Sequence, residues 1–540
     1  MRRSSEAGRG RRALGVVAVV AVWAALVVPD AVGDLGPAAF LRLPIEGILL
    51  VALLAVIPRI PARLVALVAG VLLAALTVAK ALNVAVGGSL GRPFDPVSDL
   101  GQLGSGAGVV ADSLDVPAGL VIAAAVLLVV LCAVGLVAAV LAVGELVRAR
   151  RSRSMRVLAG LTAVWGVLTL TGVALVPGLP IASTSESAFA AGEVSRTVAS
   201  VAAVRSFGAA LAAPDPYAGR VSGLASGPLR GKDVLVVFVE SYGQVAVQGT
   251  SFSPAVDATL ATDTATLRAA GFSARTGTLV SPTFGGISWL AHSTLQSGIR
   301  VPNQASYDRL LAGDRLTLTR AFHDAGWRTV SDIPSDRHPW PEGQRFYGYD
   351  RMDDGTDVGY RGPSFSYAAI PDQWTLDRFA RTELAPQHAP VMAEIDLVSS
   401  HTPWTPLPRL VDPQALGDGS VFVGMPAEGI PPRIAWQDPA TVQGLYGQSI
   451  RYSLDALTGF IAASHDPDLV VVMLGDHQPA EIVSGPHPDH DVPVSVIAAD
   501  PAVLNAISGW GWAQGLRPAP GGSTWGMDRF RDRFLDAFAR

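Results

Sequence analysis

Thiols are almost absent from this chain of 540 residues: its one cysteine, Cys132, lies inside an apolar run. That excludes an intramolecular disulfide and a thiolate metal cluster. Lysine is nearly missing too, at Lys80 and Lys232 only, so arginine supplies almost all of the positive charge. Charged residues make up 16% of the chain, against about 25% in ordinary soluble domains. Hydrophobic residues make up 49% and the mean hydropathy is +0.36. Most of the apolar excess falls in the first third, which excludes a wholly soluble protein. Through Ala182 there are 15 Lys and Arg against 9 Asp and Glu, and beyond it 26 against 37. The acidic second part argues against nucleic acid as a partner.

Crossing the hydrocarbon takes about 20 apolar residues, and five segments qualify, near 14–32, 40–57, 64–86, 117–147 and 157–182. The second is the weakest, with Arg42 and Glu46 near its start. Arg2, Arg3, Arg9, Arg11 and Arg12 head the chain, Arg59 and Arg63 follow the second segment, and Arg148, Arg150, Arg151, Arg153 and Arg156 follow the fourth. Five crossings put all three groups on one side, which the positive-inside rule makes cytoplasmic. Asp34, Asp95, Asp99, Asp112 and Asp115 fall on the other side. An odd number of crossings exports everything after Ala182. A cleaved signal peptide is the alternative for the first segment, but no small-residue cleavage site stands out, so a retained anchor is expected.

Residues 183–230, rich in Ala, Ser and Gly, read as a linker, with a helix over 193–211. After Gly231 short apolar runs alternate with amphipathic stretches, the pattern of a largely parallel sheet with helical crossovers. Strands are expected at 234–239, 273–280, 328–333, 391–397, 469–474 and 492–498, and helices at 255–270, 316–325, 440–463 and 528–539. The expected organisation is a membrane domain over 1–182, a linker over 183–230 and a catalytic domain over 231–540.

Reactive groups of open α/β sheets gather at the carboxyl ends of strands. The run VLVVFV ends in Glu240, Ser241 and Tyr242, and LVVVML ends in Gly475, Asp476 and His477. Two carboxylates and an imidazole suit a divalent cation and leave a position open for substrate. Singly, each has an ordinary explanation as a strand-end carboxylate, a helix cap or a surface histidine. Together, at the ends of two core strands, they point to metal ligation. Between them a Gly-Gly loop breaks into a helix-like stretch at Ser288. A hydroxyl there feels the positive end of the helix dipole, and a bound cation would activate it as a nucleophile. Ser281 and Thr283 are the competing hydroxyls, and a plain N-cap is the competing role. His401, in SSHTPW, is placed to bind a phosphoryl oxygen or protonate a leaving alkoxide. Trp340 and Arg345 in HPWPEGQRFYGYD offer stacking and an oxyanion clamp, or are a packed ring and a solvated cation. His487, Asp489, His490 and Asp491 form a further polar group, read as a solvated loop.

In order and type these segments resemble the alkaline phosphatase and sulfatase superfamily, in particular its membrane-anchored phosphoglycerol transferases. VESYG is similar to the family's metal-binding glutamate strand, GISWLAHSTLQSG to its nucleophile segment, SSHTPW to its substrate-histidine segment and LGDHQP to its Asp-His metal pair. The resemblance covers about 300 residues at motif level. It implies a five-span α-helical membrane domain plus an exported α/β, alkaline-phosphatase-like (sulfatase-like) domain with a mostly parallel central sheet, in a bacterial plasma membrane with the N-terminus cytoplasmic. It further implies one divalent ion, Mn²⁺ first, with Zn²⁺ or Mg²⁺ as alternatives, held by Glu240, Ser288, Asp476 and His477. Ser288 would be the phosphorylated nucleophile, and His401, Trp340 and Arg345 would meet substrate. Serine at 288 departs from the family's common threonine.

The implied activity is transfer of phosphoglycerol or a similar phospho-alcohol group from a membrane lipid donor to an envelope glycan or lipid acceptor. The alternatives are a sulfatase-like hydrolase with the same site and a non-catalytic membrane accessory protein. Ser226 to Arg230, SGPLR, matches a sulfatase signature literally, but it precedes the Glu240 strand, whereas the sulfatase nucleophile follows its first metal strand.

Overall fold

The computed structural model describes residues 2–31, 34–90, 92–100, 116–176, 179–356, 358–485 and 489–539. Asp112, Asp115 and His487 lie outside them. Contacts divide the chain into two units, Met1–Ala202 and Ala203–Arg540.

The first unit is helical, with α1 (Arg2–Val27), α2 (Ile45–Val56), α3 (Arg59–Leu90), α4 (Ala118–Ala149), α5 (Arg151–Thr171) and the start of α6 (Ser185–Ala212), which runs across the division. Small residues draw helices together where apolar side chains gain little by leaving lipid. The buried seam here is Ala18, Ala25, Ala62, Ala66 and Ala139, with Leu54, Val140 and Val143. Among the described residues three helices are long and apolar enough to cross a membrane, Arg59–Gly87, Gly119–Ala149 and Arg151–Thr171. The expectation of five spans is corrected to that extent.

α1 is apolar over Ala13–Val27, with Pro29 two residues beyond it. Pro44 holds extended backbone before α2, leaving a helix of 12 residues. At 1.5 Å per residue α2 reaches about 18 Å, short of a hydrocarbon layer of about 30 Å.

Arg59 and Arg63 pair with Glu145 at 3.4 and 2.9 Å, so the basic turns before α3 and after α4 lie at one end of the unit. The start of α6, in the segment expected as a linker, is fastened to α3. Buried Lys80 pairs with Glu186 and donates to the Val28 carbonyl at 3.0 Å, and Asn83 donates to Glu193 at 3.0 Å.

The second unit is built on a nine-stranded sheet. Its strands are β1 (Asp233–Val239), β2 (Ser273–Val280), β3 (Arg328–Ile333), β4 (Arg351–Asp354), β5 (Val391–Leu397), β6 (Leu469–Gly475), β7 (Asp491–Ala498), β8 (Ala513–Gln514) and β9 (Thr524–Gly526). The order is β8-β2-β7-β6-β1-β5-β3-β4, with β9 beside β2. From β6 to β4 every neighbour is parallel. β7 is antiparallel to both β6 and β2. The sheet is therefore mixed and mostly parallel.

Strands buried on both faces carry unbroken apolar runs, and β1 divides its side chains by alternation. Val234, Val236 and Phe238 join one core with Val470, Val472 and Leu474 of β6. Leu235, Val237 and Val239 join the other with Leu469, Val471 and Met473. On the first face lie α8 (Ser288–Ser297) and the C-terminal helix α11 (Phe530–Phe538); on the second lie α7 (Ser253–Ala269), α9 (Asp372–Glu383) and α10 (Pro439–Ser464).

Asp263 of α7 is buried, and burial together with the Asp455 carboxylate of α10 pushes it up to about 7. A carboxyl raised in the folded state binds more protons there than in the unfolded chain, where it titrates near 3.9. Its contribution to stability therefore falls as pH rises from about 4 to about 7. Asp263→Asn is expected to raise the melting temperature at pH 8 and to change it little at pH 4, measured by thermal unfolding of the two proteins side by side.

Candidate metal centre

The register of the three central strands assembles the site. Gly475 of β6 and Leu397 of β5 both pair with Val239 of β1. Their continuations, Asp476–His477, Glu240–Ser241 and Ser400–His401, therefore leave the sheet side by side at its carboxyl edge. The first two continuations nearly touch: a Cβ on Gly475 would sit 1.9 Å from the Tyr242 carbonyl oxygen, and one on Gly243 equally close to the Gln478 amide oxygen. Only glycine admits that approach.

Ser288 arrives from the fourth side, as the first residue of α8. Gly285, Gly286 and Ile287 before it all have positive φ, and Ile287 at 65° is in a left-handed conformation that costs a branched residue about 1–2 kcal/mol. Strain of this kind persists where the surroundings enforce it. Here it presents the Ser288 hydroxyl to the ligand residues, 3.1 Å from Glu240 Oε2 and 3.2 Å from His477 Nε2. The competing hydroxyls are engaged elsewhere: Ser281 donates to the Asp476 carbonyl at 2.6 Å, and Thr283 to the Gly286 carbonyl at 2.7 Å.

Glu240, Asp476 and His477 each offer a ligand atom, and these atoms lie within 4.8 Å of one another. His477 Nε2 is 3.4 Å from Glu240 Oε1 and 3.3 Å from Asp476 Oδ2. A tetrahedral ion with ligands at about 2.1 Å separates them by about 3.4 Å, so the spacing fits a small dication. The other atoms of these residues are already committed. Asp476 Oδ1 accepts from the Ser241 and His477 amides at 2.7 and 2.8 Å, while its Oδ2 is buried and unpartnered by hydrogen bonds. His477 Nδ1 lies 2.8 Å from the Gln478 carbonyl. Donation there leaves the Nε2 lone pair free for a metal. The residues present thus fit a divalent ion.

The electrostatics agree with a site that collects positive charge. Burial would raise the Glu240 carboxyl, but the His477 and His401 imidazoles and the Ser241 hydroxyl outweigh it and hold it at about 2. Burial and the Glu240 charge push Asp476 up to about 6 against the pull of His477 and His292.

His401 lies near this cluster, with Nδ1 2.6 Å from the Thr402 carbonyl and its ring stacked on half-exposed Tyr367, centroids 3.6 Å apart. Trp340 stacks on Tyr307 with centroids 6.4 Å apart, in a separate apolar cluster, and exposed Arg345 accepts from Arg320 through its carbonyl. None of these contacts joins Trp340 or Arg345 to the four-residue cluster. His490 lies 3.2 Å from the Ser281 carbonyl, Asp489 accepts from Gln478 at 2.5 Å, and Asp491 opens β7. Sequence reasoning missed Ser400, whose hydroxyl fixes the Glu240 carbonyl at 2.6 Å, and Tyr367. It also missed His292, one turn after Ser288, whose spacing on the helix was the available signal.

Gly475→Ala is expected to force the two ligand loops apart. That should cost about 1–3 kcal/mol or more in stability and remove the rise in melting temperature expected of the parent protein when Mn²⁺ is added. Thermal unfolding with and without added Mn²⁺ checks both.

No family model matches the chain, and no curated protein matches it. Solved structures do. The lipoteichoic acid synthase LtaP from Listeria monocytogenes is 14% identical over 58% of this chain and 73% of its own, with a TM-score of 0.41. The lipooligosaccharide phosphoethanolamine transferase EptA from Neisseria meningitidis, an integral membrane protein, is 11% identical over 98% of this chain and 95% of its own, with a TM-score of 0.42. The phosphoglycerol transferase GacH from Streptococcus pyogenes, solved with sn-glycerol-1-phosphate, is 11% identical over 63% and 82%, with a TM-score of 0.38. The chain is thus similar, at low identity, to solved phosphoglycerol and phosphoethanolamine transferases.

Proposed function

We propose that the chain is a membrane-anchored, metal-dependent phosphotransferase that moves phosphoglycerol or a similar phospho-alcohol group from a lipid donor to an envelope glycan or lipid through a phospho-serine at Ser288. The observation that carries the reading is the convergence of one strained, helix-opening hydroxyl on Glu240 and His477, beside the unpartnered oxygen of Asp476. Glu240, Asp476, His477 and Ser288 would hold the ion, with Mn²⁺ as the first choice. When bound, it lowers the pKa of the hydroxyl and offsets charge on the phosphoryl oxygens.

The chain's own groups do the rest. Ser288 releases its proton to solvent, and its Oγ bonds to phosphorus as the bond from phosphorus to the lipid alcohol breaks. His401, near enough to Glu240 to lower its carboxyl, protonates the departing alkoxide. The acceptor hydroxyl returns a proton to His401, attacks the same phosphorus and displaces Ser288, whose oxygen takes up a proton from solvent. Amides at the start of α8 face the anionic phosphoryl group throughout. Both transfers ask for positioning and charge stabilisation more than for strong acid or base.

The same reading puts the chain in a bacterial plasma membrane. The shared basic end of α3 and α4 is cytoplasmic by the positive-inside rule. α5 then leads from that end to the outside, where the catalytic unit meets lipid headgroups and envelope polymers.

Ser288→Ala is expected to lower phosphodiester turnover about a thousandfold or more while Glu240, Asp476 and His477 still retain the metal, more weakly for the loss of one ligand, whereas Ser288→Thr stays within about tenfold of the parent. Asp476→Ala should lose both metal and turnover. Product analysis with a glycerophospholipid donor checks the transfer: if the phospho-alcohol ends only in water, the enzyme is a hydrolase. Full activity of Ser288→Ala would remove the nucleophile assignment.

A further inference from the structure

A second group of ligand-type side chains lies outside the site described above. His292, Glu394 and Asp396 are buried, and each offers a ligand atom within 4.8 Å of the other two. His292 Nδ1 is 3.3 Å from Glu394 Oε1 and 3.7 Å from Asp396 Oδ2. These spacings bracket the separation of about 3.4 Å expected between ligands of a tetrahedral dication.

The placement is unusual for the sheet that carries it. Glu394 and Asp396 alternate along β5 on the same face as Met392, opposite Val236 and Phe238 of β1. Beside β1 that face is apolar, while β3 sets buried Thr329 and Ser331 opposite Met392 and Glu394, and burying two carboxylates in it costs several kcal/mol each unless they are compensated. One imidazole is the only cationic partner the described residues give both of them. Its ring is locked flat against Phe238, centroids 3.8 Å apart, so it cannot swing out to solvent without losing that stack.

The surroundings are those of ligands held in place. Glu394 Oε2 accepts from the Gln296 amide and from the Tyr349 hydroxyl at 3.0 Å, and Gln296 is itself fixed by the Thr319 amide at 3.0 Å. That leaves Oε1 toward His292. Asp396 has a relative exposure of 9%, and its Oδ1 is buried with no hydrogen-bond partner. An unpaired carboxylate oxygen in such a place is costly to leave, and a cation supplies what it lacks. Asp336 and Asp476 add further negative charge from the facing elements. Because His292 follows Ser288 by one helical turn, this cluster and the first lie on the same side of α8, about 6 Å apart along its axis.

We propose that His292, Glu394 and Asp396 form a second divalent-cation site, for Zn²⁺ or Mn²⁺, beside the one at Glu240, Asp476 and His477. A cation there sits next to the nucleophile helix, where it would hold a second oxygen of a phosphorylated ligand. The second site does not depend on which group is transferred or to what.

The test is a metal count that needs no turnover. The full chain in detergent is stripped with chelator, equilibrated with Mn²⁺ or Zn²⁺ and freed of excess, and bound metal per chain is measured. The parent is expected to hold two equivalents. Asp396→Asn and His292→Gln each hold one, Glu240→Ala holds one, and the Glu240→Ala, Asp396→Asn double variant holds none. A parent with one equivalent that Glu240→Ala removes and Asp396→Asn leaves overturns the second site and identifies the cluster as a closed imidazolium-carboxylate group. No metal in the parent overturns both sites. The parent and Glu240→Ala decide the matter even where Asp396→Asn or His292→Gln does not fold, and phosphodiester turnover in a parent with one equivalent leaves the transferase reading standing without the second site.

Discussion

The parallel pairing of β1 with β6, from Asp233 opposite Leu469 to Val239 opposite Gly475, is the constraint on which the site depends. Side chains alternate along a strand, so a slip of one residue would exchange the two cores and carry Glu240 away from Asp476 and His477. The pairing is fixed from both faces at once, because Val234, Val236 and Phe238 have one set of helices to meet and Leu235, Val237 and Val239 another. It is fixed again at its end, where Gly475 admits the Tyr242 carbonyl. Core packing thereby becomes ligand geometry.

Buried negative charge is the second theme. Glu240, Asp476, Glu394 and Asp396 all leave or line the central strands on buried backbone. Among them the described structure supplies histidines and hydroxyls rather than arginine. Arginine is used elsewhere for burial: Arg378 pairs with Asp332 and Asp353, and Arg531 with Asp215, all in structural positions. A guanidinium beside Glu240 would close the site with a permanent charge. Imidazoles keep it open to a cation brought from solution.

The sequence made part of this legible for identifiable reasons. β1 and β6 are readable because two-sided burial leaves unbroken apolar runs, and Glu240, Asp476 and His477 because polar residues ending such runs stand out. Ser288 was readable from its Gly-Gly preface. The second expected span falls short, since hydropathy sums through Pro44 while α2 begins only after it. β4, with the polar sequence Arg351–Asp354, and the amphipathic α9 left no apolar run to read. Glu394 and Asp396 were passed over within a strand assigned from its Val, Met, Ile and Leu. Trp340 and Arg345 were chosen by motif, and their contacts are with Tyr307 and Arg320.

The position of β1 also sets a schedule for biosynthesis. It is the first strand of the sheet to be made, yet its neighbours β5 and β6 follow about 160 and about 240 residues later. At about 5–20 residues per second, a strand that is apolar from Val234 to Val239 waits on the order of ten seconds or more for either partner. Until then its edges are unpaired and invite association with other chains. The chain therefore has its greatest need of a holding factor after Val239 has emerged and before Gly475 has, and truncations ending within that interval leave the central strand without one of its mates.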